Sequence, residues 1–158
     1  MLITACRATL EDIPLLVNMM QEFYEESNFV LDRQWATDSF SAFLSDDSRG
    51  AAWIGYYNGD AAGYVVMTIR FSMEYGGLDA FIDDLFVRVP YRRQGLGQTL
   101  LDTLFAKCQQ RKVLAVHVEV GQNNVAANAL YGNCGLKLRE DCRQMLTRRL
   151  GDSVSDVL

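Results

Sequence analysis

The sequence predicts a single α/β domain: a mixed, twisted central sheet with an antiparallel front half, flanked by helices. Three observations predict it. Apolar residues recur at helical spacing in some stretches and at alternate positions in others. The strand-like stretches of the first half are joined by tight-turn signals, whereas the second half alternates strand and helix. The length, 158 residues, fits one domain and lets the chain bury roughly 70% of its unfolded surface without disulfide staples.

The elements follow in order. Residues 3–8 read as a short strand. Thr9 and Asp12 form a helix-start signal, and Ile13, Leu16, Val17, Met20, Phe23 and Tyr24 then recur at helical spacing. Pro14 falls in the first turn, where a missing N–H costs little. A second helix is expected over 32–44, with Phe40, Phe43 and Leu44 on its apolar side. Residues 51–57 and 61–71 are strands around Asn58-Gly59, a dipeptide suited to the positive φ of a hairpin turn. A third strand over 80–89 stops at Pro90, which has no N–H to donate. A helix carrying Leu100, Leu101, Leu104, Phe105 and Cys108 follows, then an alternating strand over 113–120. Residues 125–134 form a short helix stopped by Gly135, and 136–150 return as strand, a hairpin. The domain is expected to span 1–150, with 151–158 a short tail.

Composition narrows the function. Net charge is -5 and no Lys/Arg run exceeds two residues, which argues against a nucleic-acid binder. The acidity leans toward a cationic substrate, although it also serves solubility. Cys6, Cys108, Cys134 and Cys142 form no C-x-x-C pair and His117 is the one histidine, so no metal site is expected. The cysteines read as small, mostly buried hydrophobes of a reducing compartment. With neither a signal-peptide pattern nor an apolar run near 18 residues, the cytoplasm is the expected location and no membrane partner is expected.

Arg92-Arg93-Gln94-Gly95-Leu96-Gly97-Gln98 lies between a strand and a helix. The first turn of a helix offers free N–H groups and a partial positive charge, and glycine lets a phosphate approach the backbone. A P-loop would need Gly-Lys-Ser/Thr, which is absent. A dinucleotide fingerprint would need a third glycine where Leu100 stands, and it would turn directly after the strand. Glu119 does lie near the distance at which that fingerprint holds a ribose. A tight turn with ordinary surface arginines is the plain alternative.

The run from Leu85 through Gly97 resembles motif A of the GNAT superfamily of acetyl-CoA-dependent N-acetyltransferases, Gln/Arg-x-x-Gly-x-Gly/Ala after a strand with Leu-x-Val: here Arg92, Gly95 and Gly97 after Leu85 and Val87. The element order is similar too, over about residues 3–150, which makes the expected architecture GNAT-like. The resemblance implies acetyl-CoA as cosubstrate, with no metal. Leu85, Phe86 and Val87 would pair through their backbone with the pantetheine arm, and an N–H there would hold the thioester oxygen. Backbone N–H groups from Arg93 through Gln98 would take the pyrophosphate. The family's strand carries a bulge that admits the arm; this sequence does not reveal one.

Asn124, Asn128 and Tyr131 are spaced i, i+4, i+7 and share a helical face, which by itself could be a solvated side. The run resembles the family's Asn-x-x-Ala-x-x-Leu-Tyr element. The resemblance implies that Tyr131 protonates the leaving thiolate and that Asn124 holds the cofactor arm. An attacking amine must first lose a proton, because a lysine-type ammonium has a reference pKa of about 10.4. Glu119 stands where members that acetylate ribosomal-protein N-termini carry their base, and Asp83-Asp84 resembles the acidic pair of polyamine acetyltransferases. Simple alternation puts Asp83 and Asp84 on opposite faces, so one of them reaches the cleft; Asp83 is preferred. His117 reads as structural.

The family places the acceptor between the N-terminal helices, here with Phe23, Tyr24, Glu25, Glu26 and Trp35, and the loop over 72–78. A small polyamine-like amine and a peptide N-terminus both stay open as acceptors, and the length of the acyl donor stays open as well. A homodimer through the C-terminal strands is implied by the resemblance. The rival classes are a non-catalytic acyl-CoA-binding module on the same fold and a dinucleotide-binding oxidoreductase fragment.

Overall fold

A computed structural model describes residues 1–151, so all but Gly151 of the expected tail lies outside the described residues. The chain runs β1 (Ile3–Arg7), α1 (Ile13–Glu26), α2 (Arg33–Leu44), β2 (Gly50–Tyr57), β3 (Asp60–Ser72), β4 (Gly77–Val87), α3 (Leu96–Gln110), β5 (Ala115–Val118) and α4 (Val125–Asn133). The five strands form one sheet in sequence order. β1 through β4 pair antiparallel and β5 joins β4 in parallel. This is the predicted mixed sheet with an antiparallel front half.

Local chemistry sets the boundaries. The Thr9 N–H donates to the Asp12 carboxylate at 2.8 Å, closing the expected start signal around a single 3₁₀ turn ahead of α1. Asp32 is the cap of α2 rather than its first residue, accepting from the Trp35 N–H at 3.0 Å. Asn58 and Gly59 adopt φ of 49° and 93°, which the β2–β3 hairpin requires.

The sheet carries a core on each face. Leu16, Val17 and Met20 of α1 and Phe40 of α2 pack on Ile54, Tyr64, Val66 and Phe86. On the other face Leu96, Leu100, Leu101 and Leu104 of α3 and Tyr131 of α4 pack on Trp53, Val65, Met67 and Ile82. Each fully buried leucine contributes roughly 1.5–3 kcal/mol relative to exposure. Of the cysteines only Cys108 is buried; Cys134 is half-buried and Cys6 and Cys142 are exposed, against the expectation of mostly buried thiols. Among the described residues no helix is long and apolar enough to cross a membrane.

Two strand expectations are corrected. β5 is only four residues long rather than spanning 113–120, because its ladder with β4 ends at Ile82 opposite Val118. Residues 136–150 form no strand. Their arginines instead tie down locally: Arg143 and Arg139 bond Glu74 of the β3–β4 turn, and both pair with Asp141. A strand exists only through a ladder partner, and alternation in sequence does not supply one.

Candidate active site

The site is built where β4 and β5 part. Opposite β3, Val66 faces Asp84 and its neighbour Met67 faces Ile82, so Asp83 is one residue too many on β4. This is the β-bulge that the sequence did not reveal. Before it, Ala80 and Ile82 pack toward α3; after it, Leu85 and Val87 do. The alternation therefore slips by one at Asp83. The pairing of β4 with β5 stops at Ile82, directly before the bulge. Beyond it β4 keeps β3 on one side and turns its other edge to an opening.

The backbone of that edge is presented in a definite sense. Phe86 directs its carbonyl toward β3, so close to Gly63 that a Cβ there would lie 2.4 Å from the Phe86 oxygen. By antiparallel alternation Leu85 and Val87 direct theirs to the opened edge. The Val87 carbonyl already accepts from the Arg92 Nε–H at 2.7 Å. The Phe86 ring belongs to the α1 side, 5.6 Å from the ring of Phe23.

The glycine loop begins at the end of the same strand. Val89–Tyr91 makes a 3₁₀ turn, Arg93 takes φ 62°, and Gly95, at φ 92°, is the N-cap of α3. A non-glycine residue at Gly95 would be held in the left-handed region. At Gly97 a Cβ would lie 2.9 Å from Leu130, so this glycine lets α3 and α4 approach. Leu96 is buried in the core, which leaves its backbone as the part facing the loop. Gln94 donates to the Pro90 carbonyl at 2.8 Å, and Gln98 accepts from the Cys134 thiol at 3.3 Å. Arg92 is ion-paired with Glu26 at the end of α1. The loop is thus braced by α1 on one side and α4 on the other, with the first-turn N–H groups of α3 at its centre.

Tyr131 is buried on the α3 side, and burial first, then the Asp84 charge, pushes its phenol up to about 12. Asp84 is half-buried on the α1 side and accepts from the Tyr64 hydroxyl at 3.0 Å. Burial and the charge of Asp83 raise its carboxyl to about 6, against the opposing pull of the Tyr64 bond. Asp83 is exposed at the surface, yet its carboxyl is partly desolvated by its surroundings; that desolvation, followed by the Glu119 charge, raises its pKa. Glu119 is exposed just past the end of β5. Tyr24 of α1 feels the same set: burial, Asp84 and Asp83 raise its phenol. The charges couple Asp83 to Glu119, Asp84 to Tyr131, and Tyr24 to both aspartates, all residues the sequence had singled out; the structure adds Tyr64. No spacing signal singled out Tyr64, which reads as one more residue of the apolar β3 run.

Asn124 is the N-cap of α4, its side-chain oxygen accepting from the Ala127 N–H at 3.1 Å. Asn128 donates to the carbonyls of Gly121 and Asn124 at 2.9 and 2.8 Å, fixing the loop ahead of the helix. Two grooves reach this region, one through Phe86 and one through Glu119 and Tyr131. One of about 580 Å³ is lined by Glu22, Glu25, Glu26 and Arg88. The other, about 920 Å³, lies between β5 and residues 136–145 and includes Glu119 and Tyr131. The β3–β4 turn joins β4 at Gly77, roughly 20 Å from Asp84 at the rise of a strand, and touches the larger groove through Glu74, which pairs with Arg139 and Arg143 of its lining. His117 is structural in placement, its Nε2 lying 3.0 Å from the buried Asp79 carboxylate.

Comparison with known proteins identifies the family and the fold. A sequence profile of the acetyltransferase (GNAT) family matches residues 16–136. Over 104 residues the chain is 27% identical to the [ribosomal protein bS18]-alanine N-acetyltransferase of Escherichia coli K12, an alignment covering 64% of this chain and 63% of that protein. The chain thus aligns with less than two thirds of the length of that curated relative. An integron cassette protein from the mobile metagenome of Cole Harbour Salt Marsh is 35% identical, with a TM-score of 0.86 over 96% of this chain and 93% of the other. A predicted acetyltransferase of Clostridium acetobutylicum, solved with acetyl-CoA, shares the fold at 14% identity and a TM-score of 0.74 over 92% and 96% of the two chains. The chain belongs to the GNAT acetyltransferase family.

Proposed function

We propose that this acetyltransferase moves the acetyl group of acetyl-CoA to a primary amine by direct attack. The observation that carries the reading is the edge of β4 beyond Asp83, which has lost β5 and runs on into the glycine loop that caps α3. The pantetheine arm would lie along Leu85, Phe86 and Val87 as an added strand, using the backbone groups that no longer meet β5. The pyrophosphate would sit on the N–H groups from Arg93 through Gln98, with Gly95 and Gly97 keeping the backbone accessible. Arg92 would exchange part of its contact with Glu26 for the phosphate. Asn124 has its amide nitrogen left for the arm, its oxygen being the cap of α4.

Tyr131 is the acid. A phenol raised to about 12 keeps its proton at neutral pH and can give it to the departing thiolate. The amine loses its proton into the acidic set to which Asp83 and Glu119 belong. That set, with Glu25 and Glu26 on α1, favours a cationic acceptor. A small polyamine-like amine and a peptide N-terminus both meet this requirement. The likeness to an enzyme acting on an alanine N-terminus supports the second, at a level that covers under two thirds of that enzyme. The reading includes a cytoplasmic homodimer with residues 136–150 as contact, supported by the exposure of Leu138, Met145, Leu146 and Leu150.

The test is thiol release from acetyl-CoA against a panel of diamines, triamines and alanine-led peptides. Release with one class identifies the acceptor. Stabilisation by acetyl-CoA with no release from any amine would favour a binding module, and stabilisation by NADH alone would sink the reading.

A further inference from the structure

We propose that Asp84, positioned by Tyr64, is the carboxylate that first takes the proton from the acceptor ammonium, so that base and acid stand on opposite faces of the sheet. This rests on the acetyl-transfer reading above. The two faces meet only where β4 and β5 part. Asp84 lies on the α1/α2 face, opposite Val66 and bonded to Tyr64, both members of the core beneath those helices. Tyr131 belongs to the core beneath α3 and α4, on the side where the glycine loop opens. A donor bound at that loop brings its sulfur to the Tyr131 side. An amine entering from α1 then meets Asp84 first.

The slip at Asp83 makes this arrangement. The extra residue lets Ile82 face α3 while Asp84 and Phe86 face α1, although all three share one parity in sequence. Asp83 itself, as the bulged and exposed residue, has no cross-strand partner to fix it. Glu119 is exposed past the end of β5. Asp84 is the carboxylate of this set with a fixed hydrogen bond, at 3.0 Å, from a fully buried phenol. The titratable groups acting on this pair are Asp83 on β4, Tyr64 on β3, Tyr24 on α1 and Tyr131 on α4, with Glu119 acting through Asp83. A carboxyl raised to about 6 is also better matched to an ammonium than an ordinary one near 4.

The proton balance closes. The ammonium gives one proton to Asp84, which passes it on to solvent. The freed nitrogen forms a bond to the thioester carbon. As the adduct collapses, the C–S bond breaks and the sulfur takes the Tyr131 proton. The second proton on nitrogen restores the phenol, and one proton is released per acetyl group transferred.

The experiment measures kcat/KM against pH for the intact chain with its best amine, beside Asp84→Asn, Asp83→Asn, Glu119→Gln and Tyr64→Phe, with acetyl-CoA affinity by calorimetry. Asp84→Asn is expected to lower kcat/KM at pH 7 by at least 100-fold, to abolish the acid limb near pH 6, and to leave acetyl-CoA Kd within threefold. Asp83→Asn and Glu119→Gln should each cost less than tenfold. Tyr64→Phe removes a bond that favours the ionised carboxylate, so its acid limb should move to higher pH; a merely structural tyrosine would lower Tm and leave the limb in place. Retention of kcat/KM within threefold in Asp84→Asn, or a larger loss in Asp83→Asn or Glu119→Gln, overturns the assignment. If Asp84→Asn does not fold, an unmoved limb in Tyr64→Phe overturns it. An intact chain that neither binds acetyl-CoA nor acetylates any amine removes the acetyl-transfer reading itself, and this assignment with it.

Discussion

Along residues 79–82, β4 has a strand on each side, and its buried carboxylate Asp79 is held by two Arg70 nitrogens at 2.8 and 2.9 Å and by His117 at 3.0 Å. Beyond Asp83 the strand keeps only β3, and Asp84 is held by one phenol. Two aspartates five residues apart on one strand are therefore driven in opposite directions. The Arg70 bond holds Asp79 below the usual carboxylate range, whereas burial and Asp83 push Asp84 to about 6. The paired half uses its carboxylate to join three strands. The parted half keeps a poorly compensated carboxylate beside an opening, which costs stability and leaves a group able to exchange protons near neutrality.

The comparison can be broken most severely by removing its cause. Deleting Asp83 leaves Val66 opposite Asp84 and Met67 opposite Ile82 with no extra residue between them, and every later side chain keeps its face. The straightened strand should extend its ladder with β5, so the chain should fold while its thermal shift with acetyl-CoA disappears. A full shift in the deletion variant would show that the bulge is not what admits the donor.

Tyr131→Phe tests the parted half without disturbing it. Turnover in the thiol-release assay should fall about 100-fold or more, with acetyl-CoA affinity nearly intact. Unchanged turnover would remove Tyr131 as the acid.

Stability against pH should separate the two aspartates by sign. Asp79 has a folded pKa below its unfolded value, so its contribution is complete above about pH 4 and is lost as pH falls through the folded pKa. Asp79→Asn should therefore destabilise at neutral pH, by about 1–2 kcal/mol given the exposure of Arg70, and should flatten the acid limb of urea unfolding. Asp84 has its folded pKa raised, so it costs stability progressively as pH rises from about 4 to about 6. Asp84→Asn should stabilise above pH 6 by on the order of 1–3 kcal/mol. If both substitutions move stability the same way at pH 7, the contrast between the halves is wrong.

The smallest effect is expected at the loop that follows. Gly95→Ala places a Cβ at φ 92° and should cost about 1–2 kcal/mol in chemical denaturation, with a weaker acetyl-CoA shift. A variant as stable as the parent would mean that the loop relaxes without that angle.

Much of this was legible from residues alone. Asn58-Gly59 fixed a hairpin, Thr9 and Asp12 a helix start, and Gly135, at φ 86°, a helix stop. Each is a local signal, decided by the φ range or hydrogen bonding of a few neighbouring residues. The loop from Arg92 through Gln98 was legible for the same reason. The direction of Asp84 was not. Ile82, Asp84 and Phe86 share one parity, and because both faces of β4 are buried the apolar Phe86 hides the slip. The length of β5 and the fate of residues 136–150 were equally beyond alternation, since each depends on whether a ladder partner is present.

The sequence by itself determined the family, the order of the elements through α4, the glycine loop and the residue types of the candidate site, because these follow from short-range spacing and backbone preference. Tertiary structure alone decided where β4 loses β5 and which carboxylate faces which helices. Those outcomes depend on register between strands distant in the chain, and a one-residue slip in register exchanges the two faces of everything beyond it.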